Sequence, residues 1–405
     1  MKSPKIRFKE FQNEWNSRIL GDICEIYDGT HQTPKYTKTG VMFLSVENIK
    51  DLKSKKFISI DDFTKNYKVY PEFGDVLLTR IGDIGTPNIY LRNEKVAFYV
   101  TLALLKPKSV KSFFLKNLFY SSFTKKEIDK KTLHIAFPKK INKNEIEKIQ
   151  IRIPSDIKEQ EKIGEFFRKI DGILDLENSR FKKLENFKKT MLDKLFVKDG
   201  ADEPQIRLGS FKGEWNSRIL GDIGETYCGL SGKNKDDFGH GNAKFVPYIN
   251  IFQNSIVNLA KLEKIEIDKR QNSVKNGDIF FTTSSETPQE VAMSSVYLGN
   301  EENIYLNSFC FGFRPKEFLN SYFLAYFFRS HYFRDKVIPL AQGISRYNIS
   351  KNKMMELKIR IPNDIKEQEA IGEFFRKIDG ILEFSQKKIT KLENIKKYLL
   401  NKMFM

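Results

Sequence analysis

The chain contains itself nearly twice, and this duplication limits its fold more than any other feature. Pro4–Glu25 returns as Pro204–Glu225, and Ile151–Leu174 returns as Ile359–Leu382. In the second pair only Ser155 and Lys162 are altered, to Asn363 and Ala370. The interval between copies is 200 residues at the first segment and 208 at the second, so the second unit has gained length between its ends. A chain with repeats of this size must fold one unit twice. Between the repeated ends only sparse anchors persist. Phe43-Leu44 and Asn48-Ile49 match Phe245-Val246 and Asn250-Ile251, Gly74-Asp75-Val76 matches Gly277-Asp278-Ile279, and Lys106-Pro107 matches Arg314-Pro315. These fit strand and turn positions of one shared fold with two different surfaces.

The contrast bears on function. Cores accept volume-preserving exchanges, and exposed positions accept almost any residue. Yet Lys158, Glu159, Gln160, Arg168 and Lys169 are kept as Lys366, Glu367, Gln368, Arg376 and Lys377. Two copies of one surface imply two copies of one partner, and two unlike interiors imply two ligands of one general kind. Gene conversion confined to these segments is the alternative explanation.

After each Ile-Arg-Ile-Pro segment, Ser155-Asp156 or Asn363-Asp364 supplies a helix start. Apolar residues then recur with the 3,4 spacing of a coiled-coil seam. The first arm has Phe167, Ile170, Leu174, Phe181, Leu184, Met191 and Leu195, and the second has Ile371, Phe375, Ile378, Leu382, Ile389, Leu392, Leu399 and Met403. Gly172 and Gly380 weaken the pattern, and Lys188 and Lys396 interrupt it. A helix from Gln160 to Phe196 would be roughly 55 Å long. Its apolar stripe needs a second helix, and the nearest is its own duplicate. The arms would then pair antiparallel about a pseudo-two-fold axis, with the heads at opposite ends. The alternative has each arm packing on its own head.

The heads read as mixed, with strand-like runs at Met42–Val46, Asp75–Leu78 and Ala97–Leu105. Phe113–Ser122 and Ser321–Arg329 read as amphipathic helices whose aromatic stripes are core. Val197–Gln205 reads as the inter-repeat linker. The expected fold is therefore α+β: two globular heads joined by two long antiparallel coiled-coil helices. The heads span residues 1–150 and 204–357, and the arms, the first with its linker, span 151–203 and 358–405.

Seventy Lys+Arg against 52 Asp+Glu give a net charge of +18, which favours a polyanionic partner such as nucleic acid. The longest apolar stretch, Phe318 to Phe328, is too short to span a bilayer, and the basic start Met1 to Glu10 lacks an apolar signal core. Three dispersed cysteines, Cys24, Cys228 and Cys310, fit a reduced cytoplasmic protein with neither disulfides nor a structural zinc site.

Catalytic signatures are missing. Gly229-Leu230-Ser231-Gly232-Lys233 is too short for a phosphate-binding loop, and Asn234 stands where Ser or Thr is required. No Asn-Pro occurs, which excludes an Asn-Pro-Pro-aromatic methylase motif. His31, His134, His240 and His331 lack metal-ligand spacing, and no Gly-x-Ser-x-Gly is present.

Base reading needs paired donors and acceptors on a loop able to enter a groove. Gly74–Asp83 reads as a hairpin with Thr79 and Arg80 at its tip, where Arg80 would meet a guanine edge or else be a solvated turn residue. The second head has Thr283 and Ser284 there, with no arginine. Thr33 and Lys35 in the first head, and Lys233 and Lys235 in the second, lie in polar, basic loops suited to phosphates.

Trp15–Ile23, Gly74-Asp75-Val76-Leu77, and Ile153-Pro154 followed by Glu159-Gln160 and a long helix all occur twice, again at Trp215–Ile223, Gly277–Phe280, and Ile361-Pro362 with Glu367-Gln368. In this doubled order the chain resembles, over essentially its whole length, the specificity subunit of type I restriction-modification systems. The resemblance implies a non-catalytic subunit with a target recognition domain in each head, each reading one half of a bipartite double-stranded DNA site. It implies arms that set the spacer and dock two methyltransferase subunits, which recruit restriction subunits. It also implies that S-adenosylmethionine, ATP and Mg²⁺ sit on those partners. Gln342, Gly343, Ser345, Arg346 and Tyr347 resemble a DNA-contact loop of the family. The first head departs from it, with His134 and Lys139 at the matching place. Glu159, Gln160 and Phe166, with Glu367, Gln368 and Phe374, are the expected partner contacts. The chain lacks the short tandem repeats that some members carry, so spacer length is not legible. A self-contained DNA-binding regulator and a stand-alone nuclease or methylase are the competing readings. Co-purification of a methylase separates the first of these, and activity of the isolated chain the second.

Overall fold

The computed structural model describes residues 3–404. The chain forms two compact units that are not consecutive in sequence. One comprises residues 1–179 with 387–405, and the other residues 180–386. This division cuts through both arms.

In the first unit a four-stranded antiparallel sheet has the order Cys24–Asp28, Leu102–Pro107, Val76–Ile81, Asp83–Ile89. A three-stranded sheet sets Val41–Leu44 antiparallel to Phe57–Ile58 and parallel to Val96–Phe98. The second unit repeats this plan. Its four strands are Gly224–Cys228, Cys310–Pro315, Ile279–Thr282 and Ser294–Val296, and its three are Glu263–Ile265, Phe238–Val246 and Ile304–Leu306. The run expected at Ala97–Leu105 is broken at Tyr99–Thr101, because its two halves serve different sheets.

The surviving anchors hold this plan together. Gly74 N–H donates to Tyr90 O, and Gly277 N–H to Tyr297 O, both at 2.8 Å. Lys106 pairs with Asp75 across neighbouring strands, as Arg314 does with Asp278, both at 2.7 Å. The helices Ser112–Leu118 and Ser321–Phe327 bury Phe114 and Leu115, and Phe323, Leu324 and Phe327, against the four-stranded sheets, so their aromatic stripes are core as expected.

A two-stranded ribbon closes each repeat, pairing Trp15–Ile19 with Gln150–Pro154 and Asn216–Ile219 with Lys358–Ile361. The arms follow as Ile157–Lys194 and Ile365–Met403. Asp156 and Asp364 start them by accepting the amides of Lys158 and Lys366 at 2.8 Å. Both helices run unbroken through Gly172 and Gly380. At Gly164 and Gly372 each arm crosses its head helix so closely that a Cβ would lie 2.9 Å from Phe114 N or 2.6 Å from Phe323 N. That approach explains why both repeats keep glycine there.

Within each unit the start of one arm lies antiparallel to the end of the other. In the first unit Phe167 meets Phe404, Asp171 pairs with Lys396 at 2.5 Å, and Glu177 with Lys388 at 2.8 Å. In the second unit Phe375 meets Phe196, and Asp379 pairs with Lys188 at 2.5 Å. The lysines that interrupt the heptads are thus the residues that bind the neighbouring helix. Leu195, Phe196 and Val197 are buried in the core of the second unit, so the linker begins after Val197 and not with it.

Candidate nucleic-acid interface

Each head stitches two loops together at one edge of its four-stranded sheet. In the first head the hairpin Val76–Ile81 to Asp83–Ile89 turns at Gly82. The loop 133–140 closes on itself through Leu133 N–H to Lys140 O at 2.8 Å, and on the hairpin through Gly82 N–H to Lys139 O at 2.8 Å. Ile141 N–H then donates to Arg80 O at 3.0 Å. In the second head, Gln342 and Asn348 exchange backbone hydrogen bonds of 2.9 and 2.8 Å. Ser284-Ser285 pairs with Tyr347-Asn348, and Ile349 N–H donates to Thr283 O at 3.0 Å. The same stitch occurs twice with different residues.

The expected hairpin readers are placed otherwise. Arg80 is only 5% exposed, its Nε donates to Ile141 O at 3.1 Å, and its guanidinium pairs with Asp28. Thr79 is buried and accepts the Thr86 amide at 2.9 Å. Both lie before the tip, where the strand still belongs to the sheet, so neither is presented to a groove. Arg80 fastens the end of the loop 133–140 to the head through Ile141, and Thr79 braces the hairpin through Thr86.

Thr283 is half-buried and donates through its hydroxyl to Phe309 O at 2.7 Å, while Ser284 is half-buried in the ladder. Gln342, Gly343, Ser345 and Arg346 are exposed, with Tyr347 half-buried behind them. Gly343 has φ +145°, and a Cβ there would stand 2.0 Å from Arg346 O, so this turn admits only glycine. His134 and Lys139 are exposed on the corresponding loop, and Thr33, Lys35 and Lys235 are exposed elsewhere in the heads. Lys233 is not available in the same way. It pairs with Asp268 at 3.0 Å, a carboxylate that Arg270 and Lys233 hold well below the usual range.

Pattern reasoning missed an aromatic-lined hollow of about 440 Å³ beside this loop, bounded by Tyr248, Ile249, Phe252, Phe309 and Arg346. Tyr248 and Phe252 stack at 5.9 Å. Their i,i+4 spacing on a short helix was the available signal.

The arm residues expected to face partners need correction as well. Glu159 is 1% exposed, receives both Arg7 Nε and a second guanidinium nitrogen at 2.7 Å, and lies 3.3 Å from Trp15 Nε1. Gln160 accepts the Lys111 amide at 3.1 Å and donates to Pro154 O at 3.1 Å. Glu367 meets Trp215 Nε1 at 3.3 Å and Arg207 at 3.5 Å, and burial raises its pKa against the opposing pull of Arg207 and Trp215. Gln368 accepts from Asn320 N–H at 2.9 Å and donates to Pro362 O at 3.0 Å. These residues staple arm to head, which is reason enough for their repetition. Phe166 and Phe374 are half-buried against Phe8 and Phe187. The exposed large apolar arm residues among those described are Ile157, Ile173, Leu176, Ile395 and Tyr398 in the first unit, and Phe187, Ile381 and Phe384 in the second.

Among the described residues no group of three or more His, Cys, Asp or Glu could hold a metal ion, and no helix is long and apolar enough to cross a membrane.

The fold is thus one head built twice, with unlike loops at the same place. Residues 12–186 and 212–394 each match the type I restriction modification DNA specificity domain, and the chain belongs to that family. It is 24% identical to a putative type I restriction enzyme MjaX specificity subunit of Methanocaldococcus jannaschii, covering 98% of this chain and 94% of that protein. The MjaVIII specificity subunit of the same organism is also 24% identical, over 89% and 84%. The fold is similar to the S subunit of a type I restriction-modification system from M. genitalium, with TM-score 0.61, 14% identity and coverage of 100% and 99%. It is also similar to a chain from a structural study of type I complex assembly, with TM-score 0.57, 14% identity and coverage of 95% and 96%.

Proposed function

We propose that this chain is the non-catalytic sequence-reading subunit of a type I restriction-modification complex, in which each head reads one half of a split DNA site. The observation that carries this reading is the doubled loop stitch. One backbone arrangement presents Gln342, Ser345 and Arg346 in one head, and His134 and Lys139 in the other. Glutamine pairs bidentately with an adenine edge and arginine or lysine with a guanine edge, and the loop of the first head offers lysine and histidine but no glutamine, so the two heads would select different half-sites. Exposed Thr33, Lys35 and Lys235 would add phosphate contacts that position each head without specifying bases.

The arms would hold the unread spacer between half-sites and dock two methyltransferase subunits. In place of Glu159, Gln160, Glu367 and Gln368, the exposed apolar residues Ile173, Leu176, Ile381 and Phe384 are the better candidates for that contact, at repeated positions of the two arms. S-adenosylmethionine, ATP and Mg²⁺ belong to the partners in this scheme, and restriction subunits join through the methyltransferases.

The test is an exchange of residues 204–357 with those of another specificity subunit, followed by mapping of methylated adenines. One half of the split site should change and the other should stay. If both halves changed, or neither, one-head-per-half-site reading would be wrong. Purification that yields no methyltransferase, with DNA binding intact, would favour a self-contained regulator.

A further inference from the structure

The loops that carry the proposed reading residues share a property that base pairing does not explain. Ile135 and Phe137 are 98% and 104% exposed in the first head, and Ile344 is 96% exposed in the second. A single exposed apolar residue is ordinary on a protein surface. Here the exposure recurs in the same loop of two heads whose loop sequences share almost nothing. Drift had every opportunity to make either tip polar.

The loops are held firmly from below. Leu133 to Lys140, and Gln342 to Asn348, close their bases by backbone hydrogen bonds, and each base is stitched to the central hairpin. The apolar side chains therefore stand on a fixed platform and are not drawn back into the head. The loop segments themselves are cationic or neutral, the nearest acids being Asp129 beside His134 and Glu286 and Glu290 beside Arg346. Residues 133–140 (LHIAFPKK) and 341–348 (AQGISRYN) contain no Asp or Glu, and exposed Lys139, Lys140 and Arg346 flank the tips. An apolar tip between cations fits the apolar surface of bases lying between phosphates better than it fits a protein partner.

Resting on the functional reading above, we propose that Ile135 with Phe137 in one head, and Ile344 in the other, are apolar fingers that pack against bases of the half-site. They would add affinity through desolvated base surface while the flanking cations hold the backbone. That surface is either a thymine methyl group or the face of a partly unstacked base.

The experiment uses the full chain assembled with its methyltransferase subunits and a duplex carrying its mapped split site, with binding followed by anisotropy at several salt concentrations. The double variant Ile135→Ala, Phe137→Ala and the single variant Ile344→Ala should each weaken specific binding on the order of 10-fold or more, the size expected for lost apolar base contacts. The slope of log K against log salt should stay unchanged. Lys139→Ala should instead reduce that slope by about one phosphate contact. Phe137→Trp should keep affinity within about 3-fold, since the aromatic contact is retained. Uracil in place of thymine reports a methyl contact if it reproduces the loss, and 2-aminopurine fluorescence that rises only with the intact tip reports an unstacked base.

Affinity within about 2-fold of wild type in both alanine variants would overturn the inference. So would a defect confined to methyltransferase association, which would make the tips a protein contact. A wild-type complex without preference for any split site overturns the functional reading and this inference together, whereas intact preference with undiminished affinity in the variants overturns the fingers alone.

Discussion

Phe404, in the last residues of the chain, lies with its ring 6.2 Å from that of Trp15 near the beginning, the two planes 82° apart. Phe114 and Phe167 complete the cluster at 5.3 and 5.8 Å from Phe404. In the second unit Phe196 occupies the equivalent place against Trp215, Phe323 and Phe375. Each arm thus ends by filling the core of the unit that the other arm begins in, so neither unit is complete from one repeat alone.

Phe404→Ala should therefore destabilise the first unit by about 3–5 kcal/mol, the usual range for a deleted buried aromatic. Amide exchange measured across the chain should rise in Ser112–Leu118 and leave Ser321–Phe327 protected. Phe196→Ala should give the reverse pattern.

Removing Glu159 strands Arg7 beneath the arm, since their side chains are 1% and 12% exposed. Glu159→Ala should cost about 3–5 kcal/mol in denaturant unfolding, most of it the uncompensated guanidinium. Adding Arg7→Met should recover a large part of that loss. If the double variant is no more stable than the single one, the pair is not the staple described here.

Glu367 gives a pH dependence of opposite sign to that of a stabilised carboxylate. Burial raises its folded pKa, so between the ordinary glutamate value of about 4.3 and the raised one the native state binds more protons than the unfolded state. Stability contributed at this position accordingly falls as pH rises through that window. Glu367→Gln should flatten the dependence, visible as a smaller change in unfolding midpoint between the two ends of the window.

Arg80→Ala should act on stability and leave base choice unchanged. It leaves Asp28 and Ile141 O without their donor, and a loss of about 3 kcal/mol is expected. Thermal melting checks the first effect. A variant that melts like wild type yet methylates a different half-site would restore Arg80 as a base reader.

Thiol labelling separates the three cysteines. Cys24 and Cys310 are buried and their pKa values are pushed up to about 12 by desolvation, while Cys228 is exposed. A neutral-pH disulfide reagent should react promptly with Cys228 alone in the native chain and with the other two only after denaturation.

Much of this architecture was legible in the linear chain because it depends on periodicity and repetition. The doubled Trp15 and Trp215 segments, the heptads from Phe167 and Phe375, and the Gly-Asp anchors at Gly74 and Gly277 are local patterns, and each marks its element directly. The seam lysines were legible only as interruptions, since Asp171 and Asp379, which receive them, come from the other helix.

What the chain settles alone is that one α+β unit is built twice, each on a long amphipathic arm, because hydrophobic spacing and turn chemistry act over a few residues. Only the folded structure decides which polar residues are spent inside. Arg80 and Glu159 look like surface groups in any list of residue types, yet long-range contacts with Asp28, Ile141, Arg7 and Trp15 bury them. The same packing leaves Ile135, Phe137 and Ile344 in solvent. Burial is a property of what comes together across hundreds of residues, and no local pattern encodes it.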